Sequence, residues 1–227
     1  HRGRAAGFSL IELLVVIAII GIIGTIAVPA VGSLLKGSSL TQAANLLRDQ
    51  VALARQHALS KNRVVELRFY RFGDPEQPGE KAEDPSTGFF RGLQFFEIGD
   101  GGVPIPVGKV ARFPDSMMMH ASGGGGSSAL STLLEKDTAS RLVNKGALSP
   151  NDPELPRGVK RNYDYVAFRF LPDGSTNLPP TGDKWFITVH AASDLPKATG
   201  GQPPPNFFTW MIDPVSGTSK IFRPGTK

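Results

Sequence analysis

Residues 7–16 read GFSLIELLVV, and from residue 13 through residue 35 the chain carries no charged side chain. As a helix, those 23 residues would extend about 35 Å at roughly 1.5 Å per residue, enough to cross a hydrocarbon core of about 30 Å. The run is too long for the apolar part of a secretory signal, which is about 7–15 residues before a small-residue cleavage site. A retained membrane-spanning helix is therefore expected. Arg2 and Arg4 precede the run and favour a cytoplasmic N-terminus. Glu12 stands at the mouth of the run, where a carboxylate near hydrocarbon is costly unless it is paired, functional or within reach of water. Taken alone, it reads equally as a marker of the membrane interface.

Composition narrows the classes. With 227 residues, 40% apolar and 20% charged, one ordinary domain and a membrane segment are expected rather than a multidomain enzyme. The net charge is +5, and without Arg2 and Arg4 there remain 23 cations against 20 anions, a mild excess that permits an acidic partner without requiring one. No cysteine is present, which removes disulfides, a thiolate nucleophile and Cys-based zinc sites. The sequence starts at His1 rather than Met, so further leader residues are expected upstream.

After Gly37-Ser38-Ser39, Leu40, Ala43, Ala44, Leu47, Val51, Ala54 and Ala58 recur in steps of three and four, with Arg48, Asp49, Arg55 and Lys61 elsewhere. This spacing predicts one amphipathic stripe, with alanines that allow close packing on a sheet. Counted from Phe8 to Ser60, the combined helix would extend about 80 Å at roughly 1.5 Å per residue. Period-two patterns then predict strands at 63–72, 90–98, 107–113, 163–171, 185–191, 207–212 and 219–222. Between them, 73–88 is charged and Pro-rich and is expected to be a solvated excursion. Residues 122–128 contain four consecutive glycines and are expected to be a hinge. Leu130, Leu133, Leu134, Leu142 and Val143 have helical spacing over 129–148, which the Pro-rich 150–156 should end.

Gly7-Phe8-Ser9-Leu10-Ile11-Glu12, followed by LLVVIAIIGIIGTIAVPA, resembles the prepilin signal of type IV pilins and type II secretion pseudopilins. The resemblance implies cleavage between Gly7 and Phe8 by prepilin peptidase and N-methylation of Phe8. It gives Glu12 a role, pairing with the Phe8 ammonium of a neighbouring subunit, so that the charge sets register only on assembly. It also assigns Pro29 to the filament-core helix, where loss of a backbone donor should kink or loosen the helix and suit extraction from the bilayer.

Residues 51–65 (VALARQHALSKNRVV), 168–175 (FRFLPDGS) and 213–221 (DPVSGTSKI) further resemble H-type minor pseudopilins and their fimbrial T relatives. The fold implied is pilin-like α+β: a long N-terminal membrane-spanning helix packed on a mostly antiparallel sheet. The expected organisation is a leader at 1–7, a transmembrane and filament-core helix at 8–36, an amphipathic stalk at 37–62, and a periplasmic β-rich domain at 63–227 with loop insertions at 73–88 and 115–156. The chain would be a single-pass inner-membrane protein, with prepilin peptidase, other pilin-like subunits and the inner-membrane platform of a secretion system as partners.

Residue patterns give no catalytic site and no cofactor. His57, His120 and His190 are scattered and form no HExxH or His-x-x-x-His pair, so no metal site is expected. Asp173 and Asp213 lie in PDG and DPVSG, where each carboxylate can bond nearby amides and form a turn. Ser175 and Ser216 have no identifiable base. Nucleic acid is the rival partner: Lys220, Arg223 and Lys227 form a basic C-terminus that could contact phosphates, in keeping with DNA uptake among the fimbrial T relatives. Phe207, Phe208, Trp210 and Phe222 read as core strand positions rather than base-stacking platforms. A membrane-tethered receptor is a third reading.

Overall fold

A computed structural model of the chain describes residues 9–121, 130–134, 142–144, 152–180, 184–195 and 204–224. The expected hinge at 122–128 lies outside them. The chain divides into two compact units, His1–Ser38 and Ser39–Lys227.

Helix α1 covers Leu10–Lys61 and is not ended by Pro29 or by Gly37-Ser38-Ser39. In the first unit, its described apolar side chains from Leu10 to Ile23 are exposed on every side. No helix formed by the described residues is long and apolar enough to cross a membrane. The membrane expectation therefore rests on the sequence run at 13–35.

In the second unit the helical stripe is buried as its spacing predicts. Leu40, Ala43, Ala44, Leu47, Val51, Ala54 and Ala58 all enter the main core. Asn62, with φ 52°, turns the chain out of the helix into the first strand.

Among the described residues nine strands follow, β1 (Val65–Phe72), β2 (Phe89–Ile98), β3 (Pro104–Arg112), β4 (Met117–Met119), β5 (Leu142–Asn144), β6 (Asp164–Phe170), β7 (Trp185–Ala191), β8 (Phe207–Ile212) and β9 (Ser219–Phe222). They form one antiparallel sheet in the order β5-β6-β1-β2-β4-β7-β8-β9, with β3 also paired to β2. The seven expected strands are all present. Two more lie within the expected insertion at 115–156, each three residues long, too short to show a period.

The helical expectation over 129–148 is corrected at 130–134 and 142–144, and its remainder lies outside the described residues. Ser131 bridges Ile187, the Thr132 and Leu133 amides donate to the Phe186 carbonyl, and 142–144 pairs with β6. Leu130, Leu133 and Leu134 are buried, so their helical spacing reflects core demand that is met by packing along β7 instead.

Alternate residues of β1 point to opposite faces of the sheet. Val65, Leu67 and Phe69 join the helix-side core, while Tyr70 and Phe72 join a second cluster with Phe96, Leu155, Val159, Tyr163, Tyr165 and Ala167. Both faces of β1 are thus covered. The second face also buries Glu66 and Arg68, only 5% and 3% exposed. Glu66 accepts from Arg68 Nε at 2.7 Å and from Arg169 Nη2 at 2.9 Å, while Arg68 Nη1 reaches Asp152 at 2.7 Å. The Arg68 guanidinium also stacks on Phe96 at 4.1 Å and on Tyr165 at 4.4 Å, so its charge is paired and its flat faces are covered.

Candidate assembly and binding residues

Gly7 and Phe8 lie outside the described residues, and the site begins at Ser9. The Ser9 amide donates to Glu12 Oε2 at 2.8 Å, and the Glu12 amide donates to Ser9 Oγ at 3.3 Å. This reciprocal pair is a capping box, which satisfies two of the amide donors left open at a helix start. Glu12 therefore has a local structural role in addition to the one its context implies, and the S-x-x-E spacing at 9–12 was the signal for it.

At the other end of α1, the three stretches that carry the second resemblance meet. Arg55 Nε donates to the Gly174 carbonyl at 3.1 Å, and its Nη2 donates to the Ser216 carbonyl at 3.0 Å. Each turn is built by its aspartate as expected. Asp173 accepts from the Ser175 amide at 2.9 Å, and Asp213 accepts from the Val215 amide at 3.2 Å and the Ser216 hydroxyl at 2.6 Å. The Ser175 hydroxyl and amide hold the Asp173 carboxyl below the usual carboxylate range. Gly217 has φ 65°, and a Cβ there would lie 1.9 Å from the Gly174 carbonyl oxygen, so the two turns can touch only with glycine at this position. Arg55→Ala is expected to remove the tie between helix and turns and to cost about 1.5–3 kcal/mol, seen as a lower urea midpoint with an unchanged m-value. An unchanged midpoint would show that the turns hold their places without it.

The C-terminal cations are only partly brought into view. Lys220 lies exposed on β9, Arg223 Nη2 donates to Thr41 Oγ1 on α1 at 3.2 Å, and Lys227 lies outside the described residues. Phe208 and Trp210 are fully buried, in line with their reading as core positions. Phe222 departs from that reading: it is 50% exposed, because β9 is an edge strand and Phe222 shares its outward face with Lys220.

The charged stretch 73–88 is not simply a solvated excursion. Asp74 is fully buried, and so is Arg91 of β2. Arg91 Nη2 and Nη1 donate to Glu80 Oε1 and Oε2 at 2.9 and 3.2 Å, a two-pronged pair. Asp74 Oδ2 accepts from Arg112 Nη2 and, at 3.0 Å, from Arg157 Nη1, while Oδ1 accepts from the Glu76 amide at 3.1 Å. Burial by itself pushes the Asp74 carboxyl up, but the Glu76 amide, Arg112 and Arg157 together hold it below the usual range. One carboxylate thus fastens three separate segments, at 74–80, 112–115 and 155–161. This cluster was not legible in the sequence, where its members sit up to 83 residues apart.

The histidines are corrected as well. His57 pairs with Glu97 at 2.8 Å, whereas His120 and His190 are not scattered but in contact, Nδ1 to Nε2, at 3.0 Å. Among the described residues, no group of three or more His, Cys, Asp or Glu side chains could hold a metal ion.

Residues 2–28 match the model of the prokaryotic N-terminal methylation motif. No curated protein matches the chain in sequence. Among solved structures it is similar to the minor pseudopilin EpsH from the Type 2 Secretion System of Vibrio cholerae, at 9% identity and a TM-score of 0.40, over 83% of this chain and 99% of that one. A crystal structure of the same Vibrio cholerae pseudopilin gives 10% identity and a TM-score of 0.38, over 85% of this chain and 99% of that one. Such distant likenesses carry no argument by themselves; the methylation motif does.

Proposed function

We propose, from the N-terminal methylation motif at residues 2–28, that this chain is a structural, non-catalytic subunit of the pilin-like kind, a minor pseudopilin of a type II-like secretion system. Prepilin peptidase cuts between Gly7 and Phe8 and methylates the Phe8 amine. Residues 8–36 anchor the chain in the inner membrane before assembly, and the domain from residue 63 onward lies on the periplasmic side. The observation that carries the reading is the motif itself. Its Glu12 heads a helix whose described side chains through Ile23 are apolar and exposed, a surface that calls for lipid or other helices as cover.

Glu12 adds chemistry to that surface. Its Oε2 is engaged by the Ser9 amide, and a carboxylate has further acceptor capacity for the ammonium of a neighbouring subunit. Pro29 contributes by leaving one helix carbonyl without its usual donor, which eases local bending as the helix leaves the bilayer.

The test begins with processing. Mass spectrometry of the mature chain is expected to show N-methylated Phe8 at the start, and replacing Gly7 with a bulky residue should leave the precursor uncut; any other N-terminus overturns the assignment. Glu12→Ala should still be cut and stay in the membrane, yet its crosslinking to other pilin-like subunits should fall well below that of the wild type. Normal crosslinking together with normal export would reduce Glu12 to a helix cap at the membrane surface.

The second reading, a component of DNA uptake, is favoured by the exposed Phe222 beside Lys220 on β9, an aromatic face next to a cation. Salt-dependent binding of DNA that is lost in Phe222→Ala and Lys220→Ala would select it over secretion.

A further inference from the structure

His120 and His190 are buried titratable groups for which the assembly reading has no use, at 7% and 0% exposure. His190 lies on β7 opposite Met118 of β4, and His120 directly follows β4, its amide donating to the Thr188 carbonyl at 2.8 Å. His190 Nδ1 lies 2.8 Å from the Ala191 carbonyl oxygen and its Nε2 lies 3.0 Å from His120 Nδ1. A carbonyl oxygen only accepts, so His190 Nδ1 carries the hydrogen. In neutral His190, Nε2 is then an acceptor, and His120 must donate to it from Nδ1. The hydrogen bonds run one way, from His120 through His190 to Ala191.

This direction limits how many protons the pair can hold. A proton on His120 Nε2 leaves the chain of hydrogen bonds intact. One proton on His190 Nε2 instead is accommodated when His120 shifts its hydrogen to Nε2 and accepts at Nδ1, but with both rings protonated N–H is set against N–H, the contact breaks, and two imidazolium rings at this distance also repel. Strand β4 is the element where such a break matters. It joins β5-β6-β1-β2 to β7-β8-β9 in the hydrogen-bonded order, yet it has three residues and its register with β2 is the single pair Phe90–Met119.

We propose that His120 and His190 are an acid-operated latch on β4: while they hold no more than one proton the segment 117–121 stays fastened to β7, and full protonation releases it with the rest of the sheet still paired. The inference stands on this geometry and is independent of the secretion reading.

The surroundings set the pH range. Burial pushes His120 down to about 4, helped by His190, and pushes His190 down as well, where the Ala191 carbonyl and Asp194 oppose it. Asp194, on the 3-10 turn Ala192–Asp194 after β7, is the charged group that acts on His190. The residues in register with His190, Met118 on β4 and Phe207 on β8, do not titrate, nor do Ser131 and Thr132 beside β7. Both folded values lie below the ordinary histidine value, so the released form binds protons more readily. Closure is thus fully present above about pH 6.5 and weakens as pH falls toward about 4.

The test is amide exchange on the full chain in detergent micelles, corrected for intrinsic rates, together with ring-nitrogen NMR. The opening constant of the His120 amide is expected to rise at least tenfold between pH 7 and pH 5, the slope for one proton being up to tenfold per pH unit, while Phe208 and Trp210 amides on β8 change little. His190→Gln keeps an acceptor that does not titrate and should flatten this dependence. At pH 7 both rings should show hydrogen on Nδ1 and none on Nε2. A flat wild-type profile, an equal rise across β8, or hydrogen on Nε2 of His190 at pH 7 would each overturn the latch, and the ring spectrum decides the point even if the variant fails to fold.

Discussion

Removing the chain through Ala58 is expected to abolish the soluble fold, whereas removing only residues 1–36 should leave a soluble, folded monomer. The shorter deletion takes away the apolar start of α1, whose described side chains from Leu10 to Ile23 are exposed, and keeps the unit that begins at Ser39. The longer one also removes Leu40, Leu47 and Val51, each no more than 1% exposed, together with the buried alanines 43, 44, 54 and 58. A fully buried Leu or Val contributes about 1.5–3 kcal/mol. Three of them, with the sheet face they cover left open to water, weigh as much as much of the 5–15 kcal/mol by which a typical domain is stable. The outcome should be aggregation on size exclusion and loss of the cooperative thermal transition. A monomeric and cooperative 59–227 fragment would mean that the stalk only rests on a core completed elsewhere.

Arg91→Ala in the 37–227 fragment should be the most damaging single substitution proposed here. Arg91 is fully buried and faces Glu80 with two hydrogen bonds, with Asp74 at 3.9 Å. Its removal leaves Glu80, whose side chain is 6% exposed, as an uncompensated carboxylate, a change that costs about 3–5 kcal/mol in buried pairs. Urea unfolding should show the loss directly. The double variant Arg91→Ala, Glu80→Gln should recover part of it, because a neutral amide no longer needs the lost charge. A single variant within about 1 kcal/mol of the parent, the range of exposed ion pairs, would show that water reaches the cluster.

The sequence by itself determined whatever depends on neighbours along the chain. The step of three and four from Leu40 to Ala58 identified the face of α1 that the core takes up, because side chains at those spacings share one side of a helix. Seven strands were legible in alternating runs of four residues or more, and the S-x-x-E spacing at 9–12 contains the helix cap. Asp173 and Asp213 form the turns that PDG and DPVSG suggested, since an aspartate reaches amides two residues on without help from the rest of the fold.

Only the tertiary structure decided the rest, and the reason is distance along the chain. β4 and β5 have three residues each and acquire their identity from the strands beside them. Glu66, Arg68, Asp74 and Arg91 look like surface charges in a local reading. A buried charge needs opposite charge close by, and for Glu66 and Asp74 part of it comes from Arg169 and Arg157, 103 and 83 residues away. In the same way, His120 and His190 stand 70 residues apart and become a hydrogen-bonded pair only because β4 and β7 are adjacent. Helical spacing at 129–148 misled for the complementary reason: at Leu130, Leu133 and Leu134 it recorded a need for burial, while the backbone that delivers them was chosen by the part of β7 beyond its pairing with β4, where Ser131 bridges Ile187.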